Sequence, residues 1–314
     1  MGLGTNHVTK TTAATFIPAI WSDEIVAAYK RNLVAANLIK KMNFKGKKGD
    51  TVHIPSPTRG SASAKAASTQ VTLIAATESE VQVSINKHYE YSRMIEDIVE
   101  AQALSSLRSF YTDDAGYALA KQVDTDLIRL GRIANGATLG TDDYATSSTA
   151  TKAFIGSNGT TAYNSTSSNA AALTDAAIRR TIQRLDDNDV PMDGRFFIVP
   201  PSSRNTLMGL ARFTEQAFVG EQGGNNTIRN GEIGDVYGVK VFVSTNCDTA
   251  YGNTQTDRIA LMGHKDAYVL VEQQGIRSQT QYKQEYLGTL FTADTLYGVA
   301  ELRDYSTVAL AVPA

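Results

Sequence analysis

The sequence predicts an α+β fold, because helix-rich and strand-rich stretches alternate along its 314 residues without a strict βαβ repeat. Three observations carry that prediction. A long strand-like excursion, GDTVHIPSPTRGSASAKAASTQVTLIAATESEVQVSINKHYEY over 49–91, separates two helical stretches. An amphipathic helix follows it, and the second half of the chain mixes buried strands with short capped helices before ending in long strands.

Residues 1–15 are polar and Thr-rich. FIPAIWSDEIVAAYKRNLVAANLIKKM then reads as a helix: Ser22 caps it, Asp23 and Glu24 suit its positive N-terminus, and Lys40 and Lys41 suit its C-terminal end. Ile25, Ala28, Tyr29 and Leu33 form one apolar stripe, while Ala36, Ile39 and Met42 form another. Within 49–91, β-type segments are expected at Thr51 to Pro55, Gln70 to Ala75 and Glu80 to Tyr91. Their apolar side chains are too few to close a core, so the stretch is expected to project as a tongue that needs a neighbour.

Ser92 is placed to cap a short helix carrying Ile95, Ile98 and Val99. Ala120, Val123, Leu127, Leu130 and Ala134 then recur at three- and four-residue steps, with Lys121, Asp124, Arg129 and Arg132 expected to point elsewhere and Asn135-Gly136 as the stop. This is the longest helix expected and the natural spine of the molecule. Residues 137–171 read as a polar surface loop in which Ala153 to Ile155 and Thr161 to Tyr163 form a hairpin about SNGT. From Leu173 the pattern is a helix capped by Thr174 or Asp175, a buried strand RFFIVPP, a helix SSRNTLMGLARF, a glycine-rich loop and a strand GVKVFVSTN. Strands through RIALMGHKDAYVLVEQ, the segment from Ile276 to Leu302, and TVALAV close the chain.

Length allows about two domains at ~150 residues each, and a hydrophobic fraction of 42% is close to the globular norm. No apolar run approaches the ~18 residues of a membrane span, and the first residues lack the apolar stretch of a secretory signal, so a cytosolic chain is expected. Cys247 is the only cysteine, which excludes an internal disulfide and a cysteine-based metal cage. The net charge of −2 hides an asymmetry, since residues 1–50 hold eight Lys and Arg against three acids. Such arms face acidic partners or nucleic acid, the plainer reading being a solvated run beside a helix.

Catalytic chemistry finds no constellation. His7, His53, His88 and His264 lack metal-ligand spacing and read as surface or strand histidines. Gly46 to Thr51 has Walker letters in the wrong order, and Gly231, Gly234 and Gly238 lack the dinucleotide fingerprint and point to turns. Asp186, Asp187 and Asp189 resemble a calcium loop only until Pro191, so a solvated helix end is the better reading. No G-x-S-x-G elbow occurs.

In order and in local phrases, the chain resembles the major capsid proteins of tailed bacteriophages, most of all the coat proteins of short-tailed, podovirus-like phages. The phrases are FIPAIWSDEIVAAYKRNLVAANLI, KKGDTVHIPSPTRGSASA, YSRMIEDIVEAQ, GRFFIVPPSSRNTLM, GVKVFVSTN and LYGVAELRDYSTVALAV, which together span nearly the whole chain. The resemblance implies a Hong Kong 97-type fold. Its parts would be an N-terminal arm (1–48), an extended loop lying across an adjacent subunit (49–91), a peripheral domain with the spine helix (92–135) and its strands (265–304), and an axial domain (136–264) with a returning strand (305–314).

It further implies a structural, non-enzymatic protein without cofactor. Such a protein self-assembles through pentamers and hexamers into an icosahedral shell around double-stranded DNA, in the virion and, during assembly, in the bacterial host cytoplasm. Trp21, Ile25, Arg59, Lys65, Gly223 and Asn225 are then candidate contacts between subunits. Lys40, Lys41, Lys45, Lys47 and Lys48 form a basic arm facing a scaffolding protein or the packaged DNA through phosphates. With some fifteen residues ahead of the first helix, a separate scaffolding protein is expected, and a portal protein at one vertex. Rival readings are an encapsulin-type compartment shell of the same fold, told apart by its cargo; a surface-layer or adhesin protein, suggested by the Thr/Ser/Asn-rich stretch from Thr138 to Ala171 and requiring secretion; and a hydrolase with a cryptic site.

Overall fold

A computed structural model describes residues 34–46, 48–57, 60–71, 73, 78–97, 107–131, 153–163, 169–210, 234–247 and 257–314. Three sheets organise them. A six-stranded sheet runs in the order β5 (Ala153–Ile155), β12 (Thr307–Pro313), β9 (Asp257–His264), β6 (Arg195–Val199), β8 (Val239–Val243), β7 (Asp235–Val236). A four-stranded sheet runs β1 (Lys40–Asn43), β10 (Tyr268–Lys283), β11 (Gly288–Glu301), β4 (Lys87–Glu96), and β2 (Thr51–Pro57) pairs with β3 (Glu78–Ser84) as a separate hairpin.

The central strands of the six-stranded sheet are buried on both faces, which is why RFFIV reads as an unbroken apolar run. Phe197, Val199, Met262, Leu310 and Val312 turn to one core, shared with Ile178 and Leu185 of helix α3 (Asp175–Asp187) and Leu207 of helix α4 (Pro201–Met208). Phe196, Ile198, Leu261, Ala309 and Ala311 turn to the other, where they meet Leu127, Ile128 and Leu130 of helix α2 (Leu107–Leu130) and Tyr268, Leu270 and Tyr297 of the four-stranded sheet. The C-terminal half of α2 thus lies in the core common to both large sheets, fitting its expected role as a spine.

Several local readings hold. Thr174 is the N-cap of α3, its Oγ1 accepting from the Ala177 N–H. The hairpin about SNGT forms, with Tyr163 N–H donating to Ala153 O and Ile155 N–H to Thr161 O. Tyr237 and Gly238 turn β7 into β8 with φ of 51° and 78°, the left-handed pair that a two-residue hairpin requires.

Others are corrected. Lys40–Asn43 is a strand and not a helix end: α1 (Ala35–Leu38) stops early, and β1 pairs in parallel with Val269 to Glu272. Gln70, Val71 and Leu73 are not in a strand, and the two apolar side chains are 65% and 90% exposed. The expected strand from Glu80 to Tyr91 breaks at Ile85-Asn86; its first half pairs with β2, and its second joins β11. Ser92 and Ile95 therefore lie in β4 and cap or build no helix there, while Ile98 and Val99 lie outside the described residues. Asp186 is not merely solvated, since buried Arg195 donates to it at 2.7 Å. Ala134, Asn135, the last residues of the expected helix SSRNTLMGLARF and the glycine-rich loop up to residue 233 also fall outside the described residues.

Candidate assembly surfaces

Among the described residues, the hairpin of β2 and β3 is anchored at its base. Even-numbered Val52 and Ile54 and odd-numbered Val83 and Ile85 share one face, because antiparallel partners in this register sum to a constant. That face packs against Val269, Val271, Leu296 and Ala300 of the four-stranded sheet. The opposite face carries His53, Glu80 and Gln82, linked by His53 Nδ1 to Glu80 Oε2 at 3.0 Å and Gln82 Nε2 donating to Glu80 Oε1 at 2.6 Å. The Gln82 amide and then His53 hold the Glu80 carboxyl below its ordinary range. Beyond Pro57, the described residues 60–71 and 73 are exposed throughout. The hairpin base thus finds its neighbour within its own chain, while the described residues beyond it are exposed.

Two buried carboxylates of α2 tie the helix to its surroundings. Asp124, fully buried, accepts from Ala35 N–H at 2.7 Å through Oδ1 and from Asn246 Nδ2 at 2.9 Å through Oδ2. It was expected to face away from the core; periodicity of apolar residues carries no sign of a carboxylate that caps a distant chain segment. Asp126, two positions on and so on another side of the helix, accepts from Tyr297 Oη at 2.8 Å and Gln122 Nε2 at 3.1 Å, with Lys87 Nζ at 3.2 Å. Burial first, then the Asp126 charge, drives the Tyr297 hydroxyl far above its ordinary value, so it remains a donor. One carboxylate ties α2 to α1 and the turn after β8; the other ties it to β4 and β11.

A third carboxylate, Asp294, bridges the strands of the four-stranded sheet. It accepts two hydrogen bonds from Arg277 (2.7 and 3.1 Å) and one from Gln274 Nε2 (2.8 Å), with His88 Nε2 at 3.2 Å. Irregular pairing of β10 between Glu272 and Arg277 lets residues 274 and 277 both reach it. The Arg277 guanidinium above all holds the Asp294 carboxyl below its ordinary range. Beyond this point β10 changes from buried to exposed.

Among the described residues no three His, Cys, Asp or Glu side chains converge as a metal site, and no helix is long and apolar enough to cross a membrane. His53, His88 and His264 are all strand residues, the last buried with Nε2 2.9 Å from Asp193 O.

Residues 35–309 match the family model described as phage capsid protein. The chain belongs to that family. It is a structural major capsid protein, assembling with copies of itself as the wall of a virion. Its fold is the Hong Kong 97 type of tailed-phage capsids. The structure is similar to that of Mycobacterium phage Che8, at 22% identity over 94% of this chain and 97% of that one, with a TM-score of 0.72. It is similar also to the capsid of cyanophage P-SCSP1u, at 20% identity over 99% and 97%, TM-score 0.74, and to the cyanophage Pam1 capsid, at 13% identity over 99% of each, TM-score 0.70. No curated protein matches the capsid chain in sequence.

The residues expected to make contacts fall into two groups. Trp21, Ile25, Lys47, Arg59, Gly223 and Asn225 lie outside the described residues. Lys65 stands exposed beyond the hairpin, Lys45 and Lys48 are exposed in the turn leading to it, and Lys40 and Lys41 are exposed on β1. Because β1 is a strand, Lys40 and Lys41 project to opposite faces and do not form one basic patch, as they would near a helix end. Lys45 Nζ lies 4.0 Å from Glu272 Oε2.

Proposed function

We propose that this capsid protein forms pentamers and hexamers that close into an icosahedral shell around double-stranded DNA, and that it catalyses no reaction. The observation carrying this reading is the match of residues 35–309 to the phage capsid protein family, joined to a hairpin seated at its base with an exposed far end. Such a projection adds contact area on a neighbour without disturbing the core of either subunit.

In this reading the six-stranded sheet is the body of the axial domain (136–264 and 305–314). Helix α2, β10 and β11 belong to the peripheral domain (92–135 and 265–304), to which β1 of the N-terminal arm (1–48) and β4, across the border of the extended loop (49–91), add edge strands; that loop crosses an adjacent subunit. What supports this division is that every strand of the six-stranded sheet falls within 136–264 and 305–314. Trp21, Ile25, Arg59 and Lys65 touch the neighbouring copy, and Gly223 and Asn225 meet at the symmetry axes. Exposed ion pairs of Arg59 and Lys65 contribute only about 0–1 kcal/mol each. Lys45, Lys47 and Lys48, joined by either Lys40 or Lys41 according to which face of β1 is turned inward, face a separate scaffolding protein and then DNA phosphates, with a portal protein at one vertex and assembly in the host cytoplasm. The charge excess of residues 1–50 supports that part.

Electron microscopy and sedimentation of the purified chain, alone and with an acidic scaffolding protein, test the proposal. Closed shells of uniform size are expected; a chain that stays monomeric in both preparations over a wide range of concentration and salt overturns it.

A further inference from the structure

We infer that assembly pairs a strand of a second copy onto the outer edge of β3, while the outer edge of β2 is closed to such pairing; this rests on the shell-forming function proposed above. Ile85 N–H donates to Asp50 O at 2.7 Å, and these two residues continue the β2–β3 register. In an antiparallel ladder hydrogen-bonded pairs alternate with non-bonded ones. The pairs 52/83, 54/81 and 56/79 therefore hold the hairpin together, and the pairs 51/84, 53/82, 55/80 and 57/78 turn their backbone groups outward.

Two prolines fall in the outward set. Pro55 and Pro57 cost the hairpin none of its own bonds, yet they remove half of the donors along the β2 edge, leaving only Thr51 and His53. Directly across, Glu80 and Glu78 keep theirs, as does Gln82, and among the described residues nothing pairs with that edge. Near the base the edge is closed by packing, since the Ser84 carbonyl oxygen abuts Gly298 of β11. The open stretch is Glu78 to Gln82.

A hairpin open on both edges would template unlimited strand addition, whereas one open edge defines a single partner and a direction, as closed rings require. Charge points to a second copy as that partner. The open edge bears Glu78 and Glu80, while the first fifty residues of the same chain hold eight Lys and Arg against three acids.

Proline substitution on each edge provides the test. Gln82→Pro removes an outward donor of β3 and His53→Pro one of β2, and the two positions face each other, so any strain is matched. Both variants are expected to keep the wild-type circular dichroism and melting temperature; Gln82→Pro is expected to lose at least tenfold in shell yield and His53→Pro to assemble normally. Equal behaviour of the two overturns the inference. Residue-resolved hydrogen exchange on wild-type protein decides the matter if Gln82→Pro fails to fold. The Glu80 and Gln82 amides should slow at least a hundredfold between free subunit and shell while His53 does not; equal protection, or protection by another protein on subunits that have not assembled, refutes the pairing. If the wild type forms no shells, the proposed function fails first and takes this inference with it. Shells with an unprotected β3 edge sink the inference alone.

Discussion

Replacing Asp124 by alanine tests whether a buried carboxylate, and not apolar packing alone, holds the start of the described chain to the spine helix. Two donors lose their acceptor: the Ala35 N–H and the Asn246 side-chain amide, on residues 1% and 5% exposed. A buried donor left unsatisfied costs about 1–3 kcal/mol, so the pair amounts to roughly 2–6 kcal/mol. For 314 residues the unfolding entropy is about 0.7 kcal/mol/K, which converts the loss to a fall of roughly 3–9 °C in melting temperature. Asp124→Asn keeps one acceptor oxygen and turns an N–H₂ toward the other donor, so about half that fall is expected. Unassembled subunits are the proper sample, since contacts in a shell would add stability of their own. Calorimetry gives the global number, and hydrogen exchange of residues 35–43 locates it, because this contact ties α1, which leads directly into β1, to the spine helix. Exposed Asp187→Ala serves as the control, expected within about 0.5 kcal/mol of wild type. An Asp124→Ala subunit that melts with the control and exchanges 35–43 at the wild-type rate would refute the reasoning.

Two further predictions concern the four-stranded sheet. The Asp294 carboxyl is held below its ordinary value of 3.8, so its contribution to stability is present above that pH and is lost as pH falls through the lower folded-state value; Asp294→Asn is expected to flatten this acid limb in urea titrations, and an unchanged pH profile would count against the clamp. At Gly298 an added methyl would stand 2.5 Å from the Ser84 carbonyl oxygen, so Gly298→Ala is expected to cost about 1–3 kcal/mol and to speed exchange at the hairpin base; wild-type stability would mean the hairpin is not seated there.

The sequence by itself determined the elements whose evidence is local. Helix α2 was legible from its apolar spacing, α3 from its cap at Thr174, β6 from an unbroken apolar run, and the β7–β8 turn from its glycine. These signals are written in neighbouring residues, and so was the ordered set of phrases that marked the capsid family. Tertiary structure alone decided the rest. Lys40–Asn43 had helical letters but became a strand because the edge of β10 offered unpaired backbone groups, and Ser92 with Ile95 did likewise against β11. Asp124 looked like a solvent-facing residue on an amphipathic helix; it is buried because Ala35 and Asn246, 89 and 122 residues away, bring donors to it. Local periodicity reports which side of an element is apolar, whereas hydrogen-bond partners supplied from distant chain decide where an ambiguous segment goes and which carboxylate the core accepts.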